Sequence, residues 1–168
     1  MNHLHNNIRI LVKAALVAAL VFVATRFLSV SYGNGYVHLG DALAYLGAGL
    51  LPLPWAMAAA GVGAALSDLT GGFAVYAPAT LIIKALVLLF FTSRPMRILC
   101  TRNALALVWA SAATVGGYFA ADMIITRNLG VAVVDIWGNI VQAVCSTALF
   151  VLLAVLCDRA GLKKIINK

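Results

Sequence analysis

Apolar runs recur along the whole chain and are separated by short segments rich in glycine, proline or basic residues. Runs of this length and composition predict α-helices, and those near twenty residues are long enough to cross a bilayer. The predicted helices cover residues 8–30, 39–51, 55–69, 78–91, 104–125 and 134–157. The sequence therefore predicts an all-α fold: a polytopic membrane protein with a six-transmembrane-helix bundle, forming a single transmembrane domain over residues 1–168.

The breaks between these runs have recognisable causes. The segment SYGNGYVHLG at 31–40 lacks helical periodicity, so it predicts an ordered loop, and Pro54 and Pro78 fit the first turns of helices. The three predicted helices between residues 39 and 91 are short for a span, so we expect shielding by protein or a locally thin bilayer. The third contains AMAAAGVGAAL, whose small residues allow close helix contact and predict a central position in the bundle.

Composition excludes a water-soluble protein. Hydrophobic residues make up 64% of the chain and charged residues 10%, with a mean hydropathy of +1.02, whereas soluble domains carry roughly 25% charged residues. The helices leave no room for an extramembrane catalytic domain. Arg9 and Lys13 precede the first apolar run, which we interpret as an uncleaved first helix because the run is long and further spans follow.

The basic residues indicate orientation. The chain has 12 Lys and Arg against 5 acidic residues, all of them Asp. With six spans, the outer side holds only Arg26 and Arg127, and Lys84 falls inside a helix. The remaining basic residues lie on the other side: Arg9, Lys13, Arg94, Arg97, Arg102, Arg159, Lys163, Lys164 and Lys168. Because Lys and Arg accumulate in cytoplasmic loops, both termini are predicted to be cytoplasmic. No nucleic-acid-binding stripe is visible.

Polar and aromatic residues gather on the predicted outer side and indicate a pocket for a small polar molecule. Lys84 lies about 9 Å along its helix from Pro78, in the outer half of the membrane. An intramembrane lysine favours a functional role, but a structural ion pair with Asp41, Asp68 or Asp122 explains it as well. The candidate substrate-binding residues are Tyr36, His38, Asp41, Tyr76, Lys84, Asp122, Trp137, Asn139 and Gln142.

Several of these candidates have a simpler interpretation. Asp41, in the first turn of a predicted helix, would stabilise the positive end of the helix dipole. The tyrosines and Trp137 are typical of an interfacial aromatic belt. As ligand contacts, Lys84 would suit an anion or a carbonyl-bearing ring, whereas the aromatic residues would suit a flat heterocycle. Together they favour a planar heterocycle.

The first predicted helix carries two overlapping pairs of small residues, Ala14 with Ala18 and Ala15 with Ala19. Such pairs flatten a helix face, which then packs closely within the bundle or against a partner subunit. The chain has no phosphate-binding loop, nucleophile elbow or paired-cysteine motif, and its three cysteines are widely spaced. We therefore predict no enzymatic activity, no metal site and no cofactor.

Two segments and the predicted topology resemble the S components of energy-coupling factor (ECF) transporters. The segments are GYVHLGDA at 35–42 and SDLTGGFAVYAPATLIIKAL at 67–86. The chain is similar, more narrowly, to the riboflavin-transporter-like branch, whose members often show Asn-Leu-Gly-Asp where this chain has His38 at the first position. The resemblance spans nearly the whole chain.

The resemblance implies a prokaryotic cell-membrane protein that captures a vitamin or related micronutrient outside. It implies partners as well: a transmembrane coupling subunit and two cytoplasmic ATPases, with the face around Ala14, Ala15, Ala18 and Ala19 contacting the coupling subunit. The first outer loop, from Tyr32 to Asp41, would cap the substrate.

Two other functions remain open at this stage. A self-sufficient small permease or channel would use Lys84 and the aspartates to line a conduction path. A membrane-embedded lipid-modifying enzyme lacks the expected Asp-rich signature. Co-purification with ATPase subunits separates the capture subunit from the permease.

Overall fold

The computed structural model describes residues 2–32 and 35–166. Its elements, in chain order, are the helices and strands α1 (Asn2–Phe27), β1 (Ser29–Tyr32), β2 (Gly35–His38), α2 (Gly40–Leu50), α3 (Leu53–Gly71), α4 (Ala77–Val87), α5 (Thr101–Thr126), α6 (Leu129–Arg159) and α7 (Leu162–Ile166). A 3-10 turn, Leu88–Phe90, extends α4. The chain is therefore mainly helical, as predicted, with one small antiparallel hairpin between α1 and α2.

Three of the described helices are long and apolar enough to cross a membrane: His5–Phe27, Thr101–Thr126 and Leu129–Arg159. Large apolar side chains on these helices point outwards; Val12, Val108 and Val144 are each more than 60% exposed. An apolar surface of this extent is stable in contact with lipid and not with water. The fold is that of an α-helical integral membrane protein.

The predicted loop at 31–40 is wrong, because most of this segment forms the hairpin. β1 pairs with β2 in the register Ser29 with His38 and Tyr32 with Gly35. Strands of four residues show too few alternations of polar and apolar positions to be recognised in the sequence. An isolated two-stranded hairpin is also only marginally stable, so this one depends on α1 and α6, which pack against it.

Several predicted helix boundaries also need correction. The first helix ends at Phe27 instead of residue 30, because β1 begins at Ser29. The sixth begins at Leu129 instead of residue 134, since the side chain of Asn128 accepts a hydrogen bond from Gly130 N (2.9 Å) and caps it. The regular fourth helix ends at Val87, and α7 was not predicted.

Small residues place α3 between α1 and α4. A Cβ atom on Gly63 would lie only 2.4 Å from the carbonyl oxygen of Ala18 in α1. On the other side, a Cβ atom on Gly61 would lie 2.9 Å from the carbonyl oxygen of Leu81 in α4. Only glycine allows these backbones to approach so closely. The prediction that the third helix is central agrees with this packing.

The end of the bundle opposite the hairpin is fastened by side chains from α6 and α7. Lys163 donates hydrogen bonds to the carbonyl oxygens of Gly49 (2.8 Å) and Pro95 (2.6 Å). Asp158 accepts from the backbone N–H of Ile98 (2.7 Å). These bonds hold the segment between α4 and α5 under the bundle, so the two ends of the molecule are chemically different.

Candidate functional site

The hairpin forms the roof of a polar cavity. Tyr36 and His38 are two residues apart on β2, which places their side chains on the same face of the strand, and both line the cavity. The Tyr36 hydroxyl donates a hydrogen bond to Asp68 Oδ1 in α3, and its ring centroid lies 4.6 Å from that of Phe73. Burial, together with the nearby Asp68 carboxylate, raises the pKa of Tyr36, so its hydroxyl remains a donor.

His38 is a buried, neutral imidazole. Its Nδ1 accepts a hydrogen bond from the backbone N–H of Gly40 (3.1 Å), so the neutral ring carries its proton on Nε2. Burial lowers the pKa of His38 from its ordinary value to about 4. The ring therefore contributes one N–H donor to the lining of the cavity.

The floor of the cavity is a hydrogen-bonded network around a buried ion pair. Lys84 Nζ in α4 lies 2.7 Å from Asp41 Oδ1 in α2, and both side chains are almost inaccessible. Gln142 in α6 donates to Asp41 Oδ2 (2.9 Å) and accepts from the backbone N–H of His38 (3.3 Å). The network therefore ties the hairpin and three helices together directly beneath the cavity.

The walls consist of aromatic and polar side chains from α4, α5 and α6. The Tyr76 hydroxyl donates to Asp122 Oδ1 (2.8 Å), and the Tyr118 hydroxyl donates to Thr80 Oγ1 (3.1 Å). Lys84 Nζ also lies 5.0 Å from the centroid of the Tyr118 ring, a cation–π distance. The walls are thus connected to the ion pair as well as to one another.

The cavity measures about 50 Å³, room for roughly four water molecules. Its described lining is Gly35, Tyr36, His38, Asp68, Phe73, Tyr76, Thr80, Tyr118, Asp122, Asp135, Asn139 and Gln142. The lining combines aromatic rings with hydrogen-bonding groups, a combination that can bind a flat, polar molecule.

The structure places the predicted site residues in three positions. Six of them line the cavity: Tyr36, His38, Tyr76, Asp122, Asn139 and Gln142. Asp41 and Lys84 lie beneath it and bind each other, the ion-pair alternative considered for Lys84. Trp137 is outside the lining, with 71% of its surface exposed on α6.

Six other lining residues were not among the predicted ligands, although helical spacing links three of them to residues that were. Thr80 lies four residues from both Tyr76 and Lys84, so the three share one face of α4. By the same spacing, Tyr118 shares a face with Asp122, and Asp135 shares a face with Asn139. Asp68 lies in the last turns of the small-residue helix α3 and Phe73 follows that helix, and neither has such a link.

The predicted partner-binding alanines divide between two faces of α1. Ala14 is buried and Ala18 is half-buried against the bundle, where its carbonyl oxygen approaches Gly63. Ala15 and Ala19 are exposed. Only the second pair is accessible to another protein in this structure.

The fold and the cavity define a small helical membrane protein with a cavity lined by polar and aromatic side chains at one end. Across the described residues, no group of three His, Cys, Asp or Glu side chains is arranged to hold a metal ion. The family model for the ECF-type riboflavin transporter, S component, matches residues 5–159. The chain therefore belongs to this family of transporter components, as the resemblance indicated. No curated protein and no solved structure matches it.

Proposed function

We propose that this chain captures a small planar heterocycle, a vitamin or related micronutrient, and delivers it to an energising module for import. The observation that carries the proposal is the cavity under the hairpin, which combines four aromatic rings with hydrogen-bonding groups in a chain of this family. The aromatic residues Tyr36, Phe73, Tyr76 and Tyr118 offer flat faces for stacking. The family's description names riboflavin, which is itself a planar heterocycle.

In this proposal α1 to α6 form six spans in the cell membrane, with both termini cytoplasmic and the hairpin outside. The charges support this orientation: Arg26 and Arg127 are near the hairpin end, and the other end carries the remaining loop and terminal basic residues. With 11 residues, α2 is only about 16 Å long. Because most of its residues are buried, the surrounding helices shield it from lipid.

The partners in this proposal are a transmembrane coupling subunit and two cytoplasmic ATPases. The contact face we favour is the exposed side of α1 that carries Ala15 and Ala19, flanked by Leu16 and Leu20. Small residues on an exposed helix face permit close packing against a helix of another protein. Ala14 and Ala18 would support this face from within the bundle.

The network beneath the cavity has a positioning role in this proposal. Asp41 and Lys84 neutralise each other and hold Gln142, which in turn holds the backbone of His38. Within this network, Gln142 and His38 are the residues that contact the cargo, and the ion pair holds them in position. Trp137 lies on the outer surface and contacts lipid or its headgroups.

A pull-down from solubilised membranes of the native host tests this proposal. A tagged copy of the full chain should recover ATP hydrolysis activity together with two further kinds of subunit. Recovery of the chain as a homo-oligomer without ATPase activity would contradict the proposal and favour a self-sufficient permease.

A further inference from the structure

Every formally charged side chain in the described lining of the cavity is acidic. Asp68, Asp122 and Asp135 line it, and no Lys or Arg is among the described lining residues. The nearest cation, Lys84, is already neutralised by Asp41 at 2.7 Å. The cavity therefore has a potential that favours a positively charged guest and opposes an anion.

The hydrogen bonds within the site also favour a ligand that donates hydrogen bonds. The hydroxyls of Tyr36 and Tyr76 donate to the carboxylates of Asp68 and Asp122. The Tyr118 hydroxyl donates to Thr80. These hydroxyl donors are engaged with protein acceptors, whereas the Nε2–H of His38 is available to a ligand acceptor. The hydroxyl-lined part of the site is therefore better suited to a ligand that brings its own N–H donors.

Among the three aspartates, Asp68 is the best suited to bind a cationic ligand. The residue is 2% exposed, and no described donor meets its Oδ2 with hydrogen-bond geometry, although the Thr80 hydroxyl interacts with this carboxylate. An unpaired carboxylate oxygen in a buried position is costly, and a bound N–H donor with a positive charge would remove that cost. The neighbouring ring of Tyr36, tilted by 39° against the ring of Phe73, offers an aromatic face to the same ligand.

A metal ion is a less suitable guest than an organic cation. No three potential ligands in the described part of the chain converge on one metal position. Aromatic rings surround the carboxylates instead, and such rings bind flat organic cations.

We propose that the cargo is a heterocycle that bears a protonated amine, with the amine bound to Asp68 and the ring between the aromatic side chains. This proposal rests on the proposed function, because it concerns the same cavity. It adds a charge requirement that a neutral tricyclic flavin does not meet. The cavity, at about 50 Å³, is smaller than the roughly 150 Å³ that binds a single benzene ring, so the side chains that line it must rearrange to admit a ring.

Matched pairs of probes test the charge requirement on the purified full-length protein in detergent. Pyridoxamine and pyridoxine share one ring and differ by an aminomethyl against a hydroxymethyl group; an aminomethylpurine and its hydroxymethyl counterpart form a two-ring pair. We expect at least one amine to raise the thermal unfolding temperature at millimolar concentration and to bind about tenfold or more tightly than its alcohol.

The variant D68N keeps the shape of the side chain and removes its charge. It should abolish the preference for the amine over the alcohol. D158N is the matched control, because Asp158 lies at the opposite end of the molecule, where it binds Ile98 and Leu99. This variant removes the same charge and should keep the preference. If D68N does not fold, D122N serves as the second variant, with a reduced preference expected.

The outcomes separate this proposal from the proposed function. Equal or tighter binding of the alcohols, or an unchanged preference in D68N, overturns the charge requirement while leaving heterocycle capture intact. Failure of every amine to bind also overturns the charge requirement. A clear preference for amines in a protein that recovers no ATPase subunits would support the charge requirement and contradict the proposed docking.

Discussion

At the residue scale, the buried pair of Lys84 and Asp41 is the strongest single electrostatic feature. Both side chains are almost fully inaccessible, so each depends on the other and on Gln142 for compensation of its charge. A pair of this kind fixes the position of the helices that carry it, here α2 and α4. The pair thus determines where the floor of the cavity lies.

Replacing Lys84 with methionine should destabilise the protein strongly, because it leaves Asp41 buried without its cation. We expect a loss of about 3–5 kcal/mol, seen as a lower thermal unfolding temperature in detergent. The double variant K84M/D41N should recover much of the loss. A double variant no more stable than K84M would show that the pair does not compensate as described.

A second residue-scale prediction concerns pH. Burial lowers the pKa of His38 to about 4, so between pH 6.5 and pH 4 the unfolded chain binds a proton at this residue that the folded chain does not. Stability should therefore fall as pH decreases through that window. Protonation also removes the acceptor for Gly40 N–H.

The variant H38N is the control for this pH effect, since its side-chain oxygen can accept from Gly40 and does not titrate. Subtracting its pH profile from that of the unsubstituted protein removes the contributions of the aspartates, including Asp41, and of Lys84, the charged groups that act on His38. The difference should be large near pH 4 and small at pH 7. Parallel profiles would contradict a neutral buried His38.

Residue types in the site were predictable, and part of their orientation was as well. Polar residues are rare in apolar helices, which is why Asp122, Asn139 and Gln142 were recognised. Trp137 is two residues from Asn139, a rotation of about 200° on a helix, and so it faces outwards. The partner of Lys84 could not be predicted, because Asp41, Asp68 and Asp122 lie on other helices and spacing along one helix does not show which of them is nearest.

At the scale of elements, the contact of α1 with α3 depends on the absence of a side chain at Gly63. The backbones approach so closely that a Cβ atom there would lie 2.4 Å from Ala18 O. The sequence predicted this close packing through its run of small residues. It did not predict the hairpin, whose short strands are stabilised by neighbouring helices; residues 33 and 34 lie outside the described residues.

The variant G63A should force α1 and α3 apart and destabilise the protein by about 1–3 kcal/mol. G116A is the matched control, because a Cβ atom on Gly116 in α5 would meet nothing within 4 Å. It should be neutral or slightly stabilising, since alanine favours a helix interior. Equal thermal stability of the two variants would contradict the packing described.

At the scale of the whole molecule, the two ends differ in a way that suits directional capture. The hairpin end holds the acidic, aromatic cavity. The other end is fastened by Lys163 and Asp158. In the function we propose, cargo enters at the hairpin end, and its release at the other end requires a change that the motor partner imposes.

Docking on that partner should be sensitive to bulk on α1. The double variant A15L/A19L should recover less ATPase activity in a pull-down, because both residues are exposed on the face we propose for the coupling subunit. The control is A112L/A120L, which adds the same bulk at exposed positions of α5 and should recover as much as the unsubstituted chain. Equal recovery by both variants would contradict this docking face.

Native mass spectrometry of the protein purified in mild detergent from its own host is the decisive test of cargo capture and subunit docking together. We expect one copy of the chain with a coupling subunit, two ATPases and a retained heterocycle, whose mass identifies the cargo. A ligand-free homo-oligomer without other subunits, even when ATP is withheld to preserve a loaded complex, would contradict the account and make an independent permease the better explanation.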